Sequence, residues 1–165
     1  MLALKPLSKS SIPAALDKAK QYRLLNEPRL AESICQDILA VEPENHDAIV
    51  ILLLAITDQF ASGAGSNKER ARALLERMPN EYERQYYAGI VWERIAKAAI
   101  DKELPDFIHL AYEWLREAMT CYERAETIRP EGNDDAILRW NTCVRLIERY
   151  RLEASQEEAS ASYLE

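Results

Sequence analysis

Histidine, cysteine and glycine are scarce in this chain, and each scarcity removes a class of chemistry. Two histidines and three cysteines in 165 residues are poor material for a metal centre. Cys35, Cys121 and Cys143 fall in no CxxC or zinc-like spacing, so neither a metal site nor a disulfide framework is expected. They read as small buried thiols of a reducing compartment. Neither His46 nor His109 lies in a nucleophile or metal motif, and no serine occupies a Gly-x-Ser-x-Gly elbow. The paired Asp134 and Asp135 stand at a helix start, where carboxylates favour the positive end of the helix dipole. No catalytic residue and no cofactor is therefore expected, and the chain is read as a non-enzyme.

Dense basic runs and long apolar runs are missing too. The formal charge is -7, from 21 basic and 28 acidic residues, and a chain of that sign repels phosphate backbones. Nucleic acid is excluded as a partner on this ground. The longest apolar run, residues 48–56, has nine residues against the roughly 20 that a membrane-spanning helix needs, so no membrane partner is expected. The opening MLALKPLSKSSIP lacks the uninterrupted apolar stretch of a signal peptide. Together these features set the expectation of a cytoplasmic protein.

What remains is helical. The chain is 48% hydrophobic and 30% charged with only four glycines and seven prolines, and its commonest residues are strong helix formers. Residues 1–11 read as a flexible leader, followed by a helix over 14–25. Asn26-Glu27-Pro28 is a helix restart, with Asn26 as cap and Pro28 in the first turn. Leu30, Ala31, Ile34, Cys35, Ile38 and Leu39 then form a stripe of period 3.6. A third helix, over 46–60, holds the apolar run and is expected to be buried on several sides.

The connection 61–66 contains half of all the glycines. Ser66-x-x-Glu69 and Asn80-x-x-Glu83 read as capping boxes, the second opening a long helix to about residue 100. Asp106 and Asn133 are placed to cap two more helices. The first of these carries Phe107, Ala111, Trp114, Leu115, Ala118, Tyr122 and Ala125 on one face. The second carries Ile137, Trp140, Val144 and Ile147. The acidic segment 153–165 is expected to be disordered. No segment alternates as a strand does, so the fold class is all-α.

Two segments repeat a pattern. Ala31-x3-Cys35-x2-Ile38-x4-Pro43 and Ala118-x3-Tyr122-x2-Ala125-x4-Pro130 place a small residue, a bulkier one, a small or aliphatic one and a proline at the same offsets. This resembles the second-helix signature of the tetratricopeptide-repeat (TPR) family. Ala19 and Tyr22 match that family's first helix more faintly, and Tyr86-Tyr87-Ala88-Gly89-Ile90-Val91-Trp92 resembles its leucine-glycine-x-x-tyrosine stretch. The segment 130–141 also resembles its counterpart in bacterial TPR proteins. The two second-helix motifs lie 87 residues apart, against about 68 for two periods of ~34. The excess is assigned to a longer first helix in the third repeat and an insertion around 100–106. The middle repeat, with Ala71, Leu75 and Met78, is the weakest match.

The resemblance implies antiparallel helix pairs stacked as a short superhelix, about three repeats plus a C-terminal capping helix over 12–152. It implies a protein-interaction module, such as an adaptor, binding a peptide or protein in a concave groove lined by first helices. The groove positions would be Lys20 and Arg23, then Asp58, then Tyr86, Glu93 and Arg94, with Leu138 and Arg145 on the last helix. An alternative function is an assembly or secretion chaperone holding a labile client, and self-association through the last helix is compatible with either. Co-chaperones that grip a C-terminal carboxylate use fixed lysines and asparagines, but the corresponding places here hold Leu16, Lys20, Ile51, Glu83 and Tyr87, so that clamp is rejected. Tyr122 is expected to fill an inter-helix gap, and Lys97 to stand in solvent.

Overall fold

The computed structural model describes residues 2–63 and 67–155. Ser66 of the first expected capping box and the acidic stretch from residue 156 onward lie outside the described residues. Among those described there are seven α-helices and no strand. The chain divides into two compact units, Met1–Arg77 and Met78–Glu165.

The first unit begins with a 3-10 turn, Lys9–Ser11, that leads into α1 (Ile12–Leu24). This end is not a free leader throughout: Leu7 packs with Leu16 and Ile34 against the buried Ile12, Ile38 and Ala48. Asn26 does not cap the next helix. It takes a left-handed conformation, φ 59°, that closes α1, and Glu27 N–H donates back to the Tyr22 carbonyl at 2.8 Å, a Schellman-type ending. Glu27 is the N-cap of α2 (Pro28–Val41), with Pro28 in the first turn. Ala31, Cys35 and Ile38 are fully buried, whereas Leu30 is 46% exposed, so the buried stripe is narrower than the run of apolar residues.

The third helix, α3 (His46–Thr57), buries eight of its 12 residues. A helix apolar all round has no solvent face to offer, which is why it lies in the middle of its unit. It packs on α2, α4 and α1. Asn45 caps it by accepting from Ala48 N–H at 3.0 Å. It ends three residues earlier than the apolar pattern suggests: the Gln59 N–H makes a tightened bond to the Ile56 carbonyl and the Gln59 side chain folds back onto the Ala55 carbonyl. A second 3-10 turn, Phe60–Ser62, precedes α4 (Asn67–Leu75).

The second unit is two long helices and a shorter one: α5 (Glu81–Asp101), α6 (Phe107–Thr127) and α7 (Asp135–Tyr150). Asn80 caps α5 as expected, accepting from Glu83 N–H at 2.9 Å while its amide donates to Glu83 Oε1 at 3.1 Å. Both α5 and α6 run to 21 residues, so the extra sequence lengthens both partners of this hairpin and not the first alone. Asp106 sits left-handed and makes no side-chain cap. Asn133 accepts from Asp135 N–H at 3.0 Å, one residue before the N-cap position, Asp134.

The close approach of α5 to α6 has an identifiable cause. A Cβ placed on Gly89 would stand 2.4 Å from Tyr122 Cε1, so only glycine lets the tyrosine ring lie flat against the α5 backbone. Tyr122 is 1% exposed, and Ala118 and Ala125 on either side of it are fully buried. The fully buried face of α7 is small, consisting of Ala136 and Cys143. Its larger apolar residues, Ile137, Val144 and Ile147, are half-buried, because α7 packs chiefly on α6. Leu152 is only 4% exposed, held by its N–H to the Ile147 carbonyl after a left-handed Arg151.

Candidate functional site

Buried polar side chains need partners, and in both units they gather at the helix contacts. In the first unit Glu32 of α2 accepts from Gln59 Nε2 at 2.8 Å and from Gln36 Nε2 at 3.2 Å, and is also bonded by Arg70 of α4. Burial works against its charge, but the bonds from Arg70 and Gln59 outweigh it and hold the carboxyl below its ordinary range. Arg29, Ser33 and Asn67 complete the small cleft around it, whose central carboxylate already accepts three hydrogen bonds. Nearby, Arg23 Nε donates to Asp58 Oδ2 at 2.8 Å. Two of the expected groove residues are thus half-buried and joined to each other, where the family pattern implied open positions. Lys20 is exposed.

In the second unit the polar centre is Glu93, and here the expectation is corrected. Glu93 was placed on an open groove, yet it is 0% exposed. It lies on the same helical stripe as Gly89 and Ala96, both buried, and those two small residues draw the neighbouring helix over it. Its Oε2 accepts from Tyr122 Oη at 2.8 Å. Its Oε1 accepts from Arg139 Nη1 of α7 at 3.3 Å and stands 3.9 Å from Lys97 Nζ. Lys97 keeps a 41% exposed side chain, as the helix pattern suggests, while its ammonium stands at this long range from the buried carboxylate. Burial works against the Arg139 charge, but Glu93 and the Tyr86 side chain outweigh it and hold the guanidinium above its ordinary range. Burial, and then the Glu93 charge, push the Tyr122 hydroxyl upward as well.

Tyr86 is half-buried in an aromatic ladder. Its ring stacks on Tyr82 at 6.0 Å, meets Tyr87 edge-on at 5.2 Å and tilts against Tyr122 at 6.1 Å. Arg94 is half-buried. Trp140, expected in the core, is also only half-buried, with its indole N–H donating to Glu123 Oε1 at 3.0 Å. The expected residues left open in this unit are Leu138, 63% exposed, and Arg145, also exposed. Seven residues apart on α7, they share one helix face.

Sequence reading missed the Glu93–Arg139 pair and the Glu32 cluster. A signal for the first was present, since Gly89-x3-Glu93-x2-Ala96 puts a carboxylate between two small packing residues. Its partner 46 residues away carries no local mark. Among the described residues no group of His, Cys, Asp and Glu is placed to hold a metal ion, and no helix is long and apolar enough to cross a membrane. Comparisons with protein-family models, with curated proteins and with solved structures gave no match.

Proposed function

We propose that this chain is a TPR-type helical-hairpin protein whose function is to bind a protein or peptide partner through the open faces of its helices. The observation that carries this reading is the fate of the two repeated motifs. Ala31, Cys35, Ile38, Ala118, Tyr122 and Ala125 are all at most 1% exposed, and Pro43 and Pro130 each follow a helix end. That is the use a TPR-like array makes of these positions, and such arrays present helix faces to partners.

The arrangement also supports a choice of surface. Arg23, Asp58 and Glu93 have their charges bonded inside their units, which removes them as first contacts for a partner. Leu138 and Arg145 combine an exposed aliphatic side chain with a guanidinium on one helix face, a pairing suited to a partner that carries apolar and acidic groups.

The test is affinity capture with the full chain, followed by mass spectrometry, in parallel with a Leu138→Asp, Arg145→Glu double variant checked for unchanged helicity. A partner retained by the parent chain and lost by the variant is the expected result. An identical set of captured proteins from both would remove this surface, and no specific capture by either would remove the function. Capture of a folded partner marks an adaptor, whereas a partner that aggregates on release marks a chaperone client.

A further inference from the structure

A second open surface lies beside Tyr82, at the start of α5. Asn80, Glu81, Tyr82 and Glu83 at the start of α5 face Ile128, Pro130 and Asn133 of the α6–α7 turn across a cleft of about 640 Å³. That is within the roughly 300–1,000 Å³ of ordinary ligand pockets. Its apolar wall is exposed: Ile128 is 47% accessible, and Pro130 follows it. The Tyr82 ring is already fixed, stacked on Tyr86 with 10° between the ring planes, so little side-chain freedom is lost when a guest lies against it.

The electrostatics select the guest. Glu81 and Glu83 stand on one wall, and the turn on the other contributes Glu131, Asp134 and Asp135. Arg84 is paired with Glu81 at 3.0 Å and Arg129 with Asp134 at 3.3 Å, and Arg124 acts on Glu81 as well, so the excess negative charge rests on Glu83, Glu131 and Asp135. Burial pushes the Tyr82 hydroxyl upward, with smaller contributions from Asp135, Tyr86 and Glu83 that a hydrogen bond with the Asn133 side chain opposes. The C-terminal end of α6, which Ile128 caps, adds the negative end of a helix dipole. The positive end of α5 is masked by its own first-turn carboxylates, Glu81 and Glu83.

We infer that this cleft docks an extended segment of a partner protein in which aliphatic side chains alternate with lysine or arginine. The aliphatic side chains lie against Ile128, Pro130 and the Tyr82 ring, and the cations sit among the rim carboxylates. This rests on the reading of the chain as an interaction module and adds a place and a chemistry to it.

The experiment uses the full chain and two fluorescent peptides, one alternating leucine with lysine and one alternating leucine with glutamate, read by anisotropy over a salt series. The leucine–lysine peptide is expected to bind and to weaken as salt rises, and the leucine–glutamate peptide not to bind. Ile128→Ser should weaken binding about tenfold or more, as loss of a central anchor does. The exposed turn variant Glu131→Lys should weaken it and flatten its salt dependence. Equal binding of both peptides, or binding to Ile128→Ser and Glu131→Lys that matches the parent, would overturn the inference, the latter marking diffuse attraction to an acidic protein. Should the leucine–lysine peptide fail while captured partners still depend on Leu138 and Arg145, this inference falls and the proposed function stands. Self-association of the chain that Ile128→Ser abolishes would replace the partner with a second copy and overturn it as well.

Discussion

Gly89 and Tyr122 act as one unit, because the space that a side chain at 89 would fill is taken by the ring. Gly89→Ala should destabilise the protein by ~2 kcal/mol, in the range of overpacked cores, despite the better helix propensity of alanine. In a Tyr122→Leu background the added methyl has room, so the same substitution should cost much less there. Urea midpoints of the four proteins give the coupling directly, and additive effects would contradict the packing.

Glu93 sets a second residue-scale prediction. It is a fully buried carboxylate with a guanidinium and a phenol in attendance. Arg139→Met leaves that charge with the more distant Lys97, and a broken buried pair costs roughly 3 kcal/mol. Adding Glu93→Leu should recover part of the loss, since removing both charges is cheaper than stranding one. Thermal melts of the single and double variants measure this, and no recovery in the double would mean that Arg139 acts by packing alone.

Among helices, the shortage of glycine has a visible consequence. Asn26, Glu103 and Arg151 stand left-handed at the ends of α1, α5 and α7, with φ of 59°, 46° and 50°. Each is followed by a backbone bond reaching back five residues: Glu27 to Tyr22, Leu104 to Ala99 and Leu152 to Ile147. These are positions where glycine is the unstrained choice and other residues cost ~1 kcal/mol. Glu103→Gly should therefore stabilise the protein by about 0.5 kcal/mol or slightly more, after the added freedom of the unfolded chain is set against it. At the opposite helix end, Asn80→Ala should cost ~1 kcal/mol, because the cap it gives to Glu83 N–H has no replacement. Chemical denaturation resolves both signs.

For the molecule as a whole, burial governs how stability responds to pH. Cys35 and Cys143 are pushed up to about 12 by burial, and so is Tyr87. An unfolded thiol releases its proton near pH ~8.5. Above that pH the unfolded chain gives up protons that the folded chain keeps, so stability should fall as pH rises from about 9 toward 12. On the acid side, Glu32 is held below its ordinary range, so its contribution is present above the unfolded carboxylate pKa and is lost as pH falls through the folded value. Urea midpoints at pH 7, 10 and 3.5 should be highest at 7. All three cysteines are buried, so an aromatic disulfide reagent should leave them untouched at pH 8 until urea is added. Rapid labelling of the native protein would contradict their burial.

The sequence by itself determined the helices. Period-3.6 stripes, two Pro-terminated motifs, the Asn80 cap and one helix apolar all round are local features, and they place the helices and turn their apolar side, although the caps expected of Asn26 and Asp106 are not made. The same patterns marked Ala31, Ala118 and Tyr122 as interior, because small and aromatic residues at fixed offsets have few other uses in a helix. Only the tertiary structure decided what the charged residues do. Arg23 looks from the chain like any solvated charge on a helix, and Glu93 is marked only by the small residues Gly89 and Ala96 on its stripe. Their partners, Asp58 and Arg139, are 35 and 46 residues away, and nothing local marks a partner that arrives from another helix. For that reason helix packing buried or bonded three of the expected groove residues and left Lys20, Leu138, Arg145 and the Tyr82–Ile128 cleft open.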